Sequence, residues 1–229
     1  MTDKILSTKP VIIFSGHFGS GKTENAVNYC LHLNSQDYKV SIVDLDIINP
    51  YFRSREAGEL MEEKGIHTIL PPRELQHADF PIIPPQIKGA IVEQDGKLVI
   101  DLGGNPDGAL PVGGLQKEVT KAGYDMWLVI NANRPQTSSV EEIKELARKI
   151  ESTSRLKFTG IINNTHLKQE TTIQDILTGL ELCREVENTL NIPIKYSAIP
   201  KKLTDEIDDY KSILGDFLIV DNYLTNPLD

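Results

Sequence analysis

The sequence lacks the features that mark secreted or membrane-spanning proteins. Its two cysteines, Cys30 and Cys183, are too few and too isolated for a disulfide framework. It has no run of about 18 apolar residues, the length needed to cross a bilayer. Its first ten residues, MTDKILSTKP, contain no apolar core of signal-peptide length. We therefore expect a cytoplasmic protein without a membrane span.

Positive charge is also scarce. The 24 lysines and arginines are outnumbered by 33 aspartates and glutamates, which leaves a formal charge of −9 over 229 residues. Because an acidic chain has no general affinity for nucleic-acid phosphates or anionic lipids, we expect no nucleic-acid partner. The hydrophobic share of 39% supports a packed core, and the length fits a single domain over residues 1–229.

Short apolar runs alternate with segments of helical periodicity. The runs predicted as buried strands are Val11–Ser15, Val40–Asp44, Lys97–Asp101, Met126–Asn131, Phe158–Asn163 and Pro193–Ser197. The segments predicted as amphipathic helices are Thr23–Leu33, Val140–Ile150 and Ile173–Leu190. Strands that alternate with helices predict βαβ units, and hence a doubly wound, mainly parallel α/β sheet with helices on both faces.

Two segments interrupt this alternation. Pro71–Gln86 contains five prolines, and Gly103–Gly114 contains five glycines and two prolines. We expect irregular loops near residues 71–89 and 103–114 that lie over the strand ends, where long loops are often functional. An insertion with its own small packing is the alternative. The Asp-rich C-terminal tail is expected to be solvated.

The most specific motif is GHFGSGKT, which matches the pattern G-x-x-x-x-G-K-[ST] between a predicted strand and a predicted helix. Glycines let the backbone wrap around phosphate oxygens at a helix N-terminus. The predicted nucleotide contacts are Gly16, His17, Phe18, Gly19, Ser20, Gly21, Lys22 and Thr23. In such a loop the lysine reaches the β- and γ-phosphates and the threonine hydroxyl binds Mg²⁺. The motif therefore predicts nucleotide binding.

Two shorter motifs follow later strands. The second predicted strand leads into Asp44-Leu45-Asp46, a D-x-D, and the third leads into Asp101-Leu102-Gly103-Gly104, a D-x-x-G. Together with the glycine-rich loop, they resemble the CobQ/CobB/MinD/ParA superfamily of P-loop proteins from about residue 11 to residue 202. This resemblance implies the P-loop NTPase fold, with ATP and Mg²⁺ as ligands and hydrolysis as the activity.

The resemblance also implies roles for the acidic residues. Lys22, Asp44 and Asp46 correspond to catalytic positions, where the carboxylates position the attacking water, and phosphoryl transfer depends on such positioning. Thr23, Asp44 and Asp101 correspond to the magnesium site. Gly104 would place its backbone N–H near the γ-phosphate, which would make Gly103–Gly114 a switch loop. An ordinary strand-end carboxylate is the alternative for Asp101.

The resemblance places the base pocket near two later strand ends. Asn164, with Asn163 as the substitute, matches the asparagine that hydrogen-bonds adenine, and Pro200 lies in the loop that sandwiches the base. A turn-forming asparagine pair is the alternative. No N-K-x-D guanine signature is present, so ATP is favoured over GTP.

The sequence departs from the family at two kinds of position. His17 stands where the dimerising members carry a second lysine that reaches the partner's phosphates, and histidine is not a permanent cation. Cys30 and Cys183 lie on apolar helix stripes, which indicates buried core residues and no iron–sulfur cluster. The histidines outside the loop are expected on the surface or in loops, namely His32, His67, His77 and His166.

Two polar tracts leave alternatives open. In Asn49–Arg55, Arg53 or Arg55 could meet a phosphate, a partner's carboxylate or an acidic substrate, or could lie in the polar first turn of a helix, Arg53–Lys64. The tract Asn131–Pro135 follows another strand on the ligand side of such sheets. It could shape the base pocket or a client site.

These features favour a nucleotide switch, in which ATP and Mg²⁺ close a homodimer and hydrolysis opens it for an unknown client. The alternative is an ATP-dependent enzyme that activates a small carboxylate, as dethiobiotin synthetase does. His17 and the irregular Pro71–Gln86 segment favour that alternative. A third possibility is a regulator that binds nucleotide without hydrolysing it.

Overall fold

The computed structural model describes residues 5–45, 58–69, 85–93 and 95–223. These residues form one eight-stranded parallel sheet with the strand order β3-β2-β4-β1-β5-β6-β7-β8. The strands are β1 (Val11–Ser15), β2 (Val40–Leu45), β3 (His67–Ile69), β4 (Lys97–Leu102), β5 (Tyr124–Ile130), β6 (Gly160–Asn163), β7 (Ile194–Pro200) and β8 (Phe217–Val220). The strand order reverses beside β1, and ligands bind at such a reversal in open α/β sheets.

Helices connect the strands and cover the sheet. The helices are α1 (Lys22–Ser35), α2 (Gly58–Glu63), α3 (Pro85–Glu93), α4 (Leu110–Gly114), α5 (Gln116–Ala122), α6 (Val140–Ser154), α7 (Ile173–Leu190) and α8 (Lys211–Leu214). Within the described ranges, 3₁₀ segments also occur at Asp107–Ala109, Pro135–Thr137, Lys168–Glu170 and Lys201–Asp209. The prediction of a doubly wound α/β domain is confirmed by this architecture.

Apolar layers cover both faces of the sheet. Ile13 and Ile100 belong to one layer, and Phe14 and Val99 belong to the other, which packs against α1. Because successive strand residues point to opposite faces, a strand buried on both faces needs apolar residues at nearly every position. This requirement explains the short continuous apolar runs in the sequence.

The structure adds two strands that the sequence did not indicate. Edge strand β3 is only three residues long. Edge strand β8 lies in the tail that was expected to be solvated, and that expectation was wrong for the described part of the tail. The Asn28 side chain fixes this part, because its amide donates to the Asp221 carbonyl and its oxygen accepts from the Asp221 N–H, both at 2.9 Å.

The two segments predicted as irregular are partly helical. Helix α3 begins at Pro85 and buries Ile87 and Ile91, which are one helical turn apart; residues 71–84 lie outside the described residues. Within 103–114, a 3₁₀ turn leads into α4, where Pro111 occupies the first turn and its missing N–H costs no hydrogen bond. The expectation of irregular loops was therefore wrong from Pro85 onward and from Asp107 onward.

Candidate functional site

The glycine-rich loop joins β1 to α1 at the carboxyl edge of the sheet. Helices α6 and α7 begin with side-chain caps from Ser139 and Thr172, whereas α1 begins at Gly21, which is left-handed (φ +82°) and supplies no side-chain cap. The first backbone N–H groups of a helix have no partner within the helix. A helix N-terminus that follows a glycine-rich loop can use these N–H groups to bind an anion.

Gly104 brings the β4 end directly onto this loop. A Cβ atom at Gly104 would lie 2.7 Å from the Gly16 carbonyl oxygen, 2.8 Å from Lys22 Nζ and 2.9 Å from the Phe18 backbone nitrogen. Lys22 itself is 6% exposed. The structure thus places the D-x-x-G glycine beside the lysine, where only a residue without a side chain leaves room.

The carboxylates predicted to bind metal lie beside the start of α1. The Thr23 hydroxyl donates to Asp101 Oδ2 over 2.5 Å, and both residues are buried. Asp44 is paired in register with Asp101 on the neighbouring strand, about 4.8 Å away along the sheet. Both carboxylates therefore leave the same face of the sheet. Asp46 lies outside the described residues.

This donor set suits a magnesium ion that also binds phosphate. Among the described residues, no group of three or more His, Cys, Asp or Glu side chains is arranged to hold a metal without other ligands. Mg²⁺ bound with nucleotides takes one or two protein oxygens, several waters and phosphate oxygens. The Thr23 hydroxyl and the nearby Asp101 and Asp44 carboxylates supply oxygen ligands of the kind that such an ion requires.

Asn164 lies on the opposite flank of the loop. Its Nδ2 donates to the Ser20 carbonyl over 2.6 Å, so the β6 end is tied to the loop. Asn163 is fully buried, and its amide donates to the Ile176 carbonyl and to Ser197 Oγ. Asn163 therefore has no surface to offer a base, whereas Asn164 reaches the loop. Pro200 lies at the end of β7 and is half-buried.

His17 and the cysteines take positions that bear on the family comparison. The His17 ring is half-buried, and its Nδ1 lies 3.0 Å from the Phe18 carbonyl of its own loop. Cys30 and Cys183 are fully buried, and burial raises the pKa of each thiol. The prediction that both cysteines are core residues is confirmed.

Two residues reach the loop that were not individually predicted for the site. Arg134 Nε donates to the Gly19 carbonyl over 3.2 Å. His166 places its Nε2 atom 3.6 Å from the position of a Cβ atom at Gly21, and that nitrogen is buried with no hydrogen-bond partner among the described residues. His166 lies in the loop after β6, as predicted, and its Nε2 atom is buried there. Arg134 belongs to the tract Asn131–Pro135, which was assigned to the ligand side as a whole.

The environment of His166 keeps its ring neutral. Burial, and to a smaller extent the cationic side chains of Arg134 and Lys168, lower the pKa of His166 to about 4. The Lys168 backbone N–H donates to His166 Nδ1 over 3.3 Å. In the neutral ring the proton is therefore on Nε2, which faces the glycine-rich loop.

We predict that His166 makes the folded protein sensitive to mild acid. Its pKa is about 4 when folded and about 6.5 when unfolded. Between these values only the unfolded chain takes up the proton, so the free energy of unfolding falls as the pH is lowered through this window. The loss from this residue is on the order of 2 kcal/mol at pH 5, measurable by urea unfolding at pH 7 and pH 5.

The matched variants are His166→Gln and His67→Gln, since His67 is an exposed residue on edge strand β3. His166→Gln should lose most of this pH dependence, and His67→Gln should keep it. An unchanged pH dependence in His166→Gln would contradict the assignment of a neutral His166 ring in the folded protein.

None of the described helices is long and apolar enough to cross a membrane. Comparison of the sequence with models of protein families gave no match. No curated protein matched it either. The class of this protein is therefore assigned from its fold.

The fold is that of the P-loop NTPases. The signal recognition particle receptor FtsY from Elizabethkingia anophelis is 19% identical, with a TM-score of 0.55, and the match covers 87% of this chain and 62% of that protein. Cell division protein FtsY from Thermotoga maritima is 20% identical, with a TM-score of 0.56, and the match covers 84% and 63% respectively. The 54 kDa signal recognition particle protein from Aeropyrum pernix, solved with GDP, is 18% identical, with a TM-score of 0.56, and the match covers 86% and 43%.

The chain therefore spans less than two thirds of the length of each of these proteins. At this level of identity the likeness concerns the fold alone. Signal-recognition function does not follow from it.

Proposed function

We propose that this protein binds ATP with Mg²⁺ at the Gly16–Thr23 loop and hydrolyses it, as a nucleotide switch of the CobQ/CobB/MinD/ParA branch. One observation carries the proposal: Lys22, Gly104 and the Thr23–Asp101 pair converge on the uncapped N-terminus of α1. A cation, the backbone donors of a helix N-terminus and buried carboxylates at one place suit a metal–triphosphate.

Different residues of the chain have different roles in phosphoryl transfer. The α1 amides and Lys22 bind the phosphate oxygens, and Thr23 with Asp101 and Asp44 would hold Mg²⁺. When bound, Mg²⁺ neutralises charge on the phosphates. Asp44 and Asp46 orient the water that adds to the γ-phosphorus while the bond to the bridging oxygen breaks, which gives ADP and phosphate.

Gly104 links the γ-phosphate to the rest of the protein. Its backbone lies against Gly16, Phe18 and Lys22, so its N–H can donate to the γ-phosphate. Loss of that phosphate would release the segment 103–114, which continues into α4. This is the switch element of the proposal, since a segment ordered by a terminal phosphate moves when the phosphate leaves.

Adenine is the proposed base. Asn164 uses an amide N–H on the Ser20 carbonyl, which leaves its carbonyl oxygen to accept from the base. Adenine presents an amine where guanine presents a carbonyl. GTP is the competing candidate because two solved proteins of this fold hold GDP.

The proposal also includes a homodimer, which acts on a protein or small-molecule client. We place this activity in the cytoplasm. Phe18 on the loop and Leu110 in the segment after Gly104 are large apolar side chains, and each is 50% exposed. Their positions on the loop and on the proposed switch segment suit a contact that depends on nucleotide. Light scattering should give a larger mass with ATP–Mg²⁺ than with ADP; one monomer mass in both states would contradict the dimer.

The test of hydrolysis is phosphate release by the wild-type protein with ATP or GTP, with and without Mg²⁺. We expect Mg²⁺-dependent release and a kcat/KM for ATP at least about fivefold above that for GTP, since a mismatched base contact costs about 1 to 3 kcal/mol. Equal or faster turnover of GTP would overturn the choice of adenine. Binding without release would indicate the regulator that does not hydrolyse.

A further inference from the structure

Arg134 lies in a loop after β5 whose backbone is held by several hydrogen bonds. Asn131 is fully buried, and its Oδ1 accepts from the backbone N–H groups of Asn133 (3.0 Å) and His166 (3.3 Å). The Thr137 hydroxyl donates to the Asn131 carbonyl over 2.7 Å, and that carbonyl also accepts from the Arg134 backbone N–H. These bonds fix the backbone from which the Arg134 side chain extends.

The guanidinium of Arg134 lies flat on the glycine-rich loop. A Cβ atom at Gly19 would lie 3.0 Å from both Nε and Cζ of Arg134 and 3.1 Å from Nη2. Nearly equal distances to three atoms of a planar group mean that the Cβ position of Gly19 lies over the plane of the guanidinium and not at its edge. Glycine at position 19 thus makes room for the guanidinium, while Nε donates to the Gly19 carbonyl.

Arg134 lacks the partners that a purely structural arginine usually has among the residues that the structure describes. Within the part of the chain that the structure describes, Arg134 makes no ion pair and no contact with an aromatic ring. Its positive charge lowers the pKa of the neighbouring His166 and so helps to keep that ring neutral. Half-buried arginines are normally paired with carboxylates, so one held on the loop without a partner is suited to a ligand.

The position of Arg134 identifies which half of a nucleotide it would meet. Lys22, Gly104 and the Thr23–Asp101 pair mark the end where the terminal phosphates and metal belong. Arg134 instead contacts Gly19, beside Ser20, where Asn164 is bonded. Arg134 and Asn164 come from adjacent strand ends and flank the loop on the side proposed for the base.

We propose that Arg134 is a nucleobase-stacking residue, whose guanidinium rests with one face on Gly19 and offers the other face to the purine. This inference rests on the proposed function, since it needs a nucleotide in the loop. A guanidinium attracts the π-face of a base, and such stacking tolerates either purine. Arg134 would therefore contribute to affinity, while Asn164 selects between the purines.

The test uses Arg134→Lys, which keeps the charge and a donor for the Gly19 carbonyl but removes the planar group. Calorimetric titrations would compare the binding of ATP with that of inorganic tripolyphosphate, which has no base. We expect about threefold to thirtyfold weaker binding of ATP, with binding of tripolyphosphate changed by less than about twofold. Arg134→Ala should weaken ATP binding at least as much, and thermal unfolding verifies that each variant is folded.

The outcomes separate this inference from the proposed function. If the wild-type protein binds both ligands and Arg134→Lys weakens both equally, Arg134 is a phosphate contact and stacking is overturned. If neither affinity changes, Arg134 only supports the loop, and the inference is also overturned. If the folded wild-type protein binds neither ligand, the proposed function fails and the stacking role fails with it.

Discussion

Lys22→Ala should lower the rate of nucleotide hydrolysis about 100-fold to 1000-fold, the loss typical when one preorganised electrostatic contact to a transition state is removed. Lys22 is 6% exposed at the start of α1, and its ammonium lies beside the Gly104 backbone. No other described lysine lies on the glycine-rich loop, and His17 does not supply a permanent charge. The measurement is phosphate release under saturating ATP–Mg²⁺.

The control for Lys22→Ala is Lys144→Ala, which removes the same charge from an exposed position of α6. Its turnover should stay within about twofold of the wild-type rate, as is normal for surface substitutions. Equal turnover in Lys22→Ala and the wild-type protein would mean that the loop is not where hydrolysis occurs.

Gly104→Ala should reduce hydrolysis about as strongly, for a steric reason. The new methyl group would lie 2.7 Å from the Gly16 carbonyl oxygen and 2.8 Å from Lys22 Nζ. Backbone cannot yield as a flexible side chain can, so either the loop or the β4 end must move. Overpacking of this kind also costs about 1 to 3 kcal/mol of folding free energy. Turnover and thermal unfolding measured on the same preparation separate the two effects.

Gly89→Ala is the matched control, since Gly89 lies within α3 and the one described atom that a Cβ there would meet is the end of the Glu93 side chain, at 3.8 Å. It should leave turnover unchanged and stabilise α3 by up to about 1 kcal/mol, the difference in helix propensity between glycine and alanine. Full activity in a folded Gly104→Ala protein would contradict the placement of Gly104 against the loop.

Features with a local signal were predictable from the sequence. The bounds predicted for β1, Val11–Ser15, and for α7, Ile173–Leu190, are those observed. A buried strand appears in the sequence as a short continuous apolar run, and an amphipathic helix appears as apolar residues at helical spacing. Strand β8 was missed, since its four residues follow a polar stretch and depend on pairing with β7. Helix α3 was missed because Pro85 resembles the prolines before it, although a proline is tolerated in the first turn of a helix.

The site residues also fall into those that a local motif predicts and those that only tertiary contacts bring together. The glycine-rich loop and the D-x-x-G segment were recognised as motifs, because the chemistry of phosphate binding requires those residue types in sequence. The contact between Arg134 and Gly19 joins residues 115 positions apart, and the burial of His166 Nε2 depends on the same tertiary packing. No local pattern encodes such contacts. The D-x-D residue Asp46 and the tract Asn49–Arg55 lie outside the described residues, so their predicted roles stay predictions.

The most direct test of the central claim is an isothermal calorimetric titration of the wild-type protein with ATP in the presence of Mg²⁺. The convergence of Lys22, Gly104 and the Thr23–Asp101 pair on α1 predicts saturable binding with one site per chain, which Lys22→Ala should weaken at least about tenfold, as expected for loss of a charged hydrogen bond. A folded wild-type protein that binds none of ATP, ADP or GTP would contradict the account.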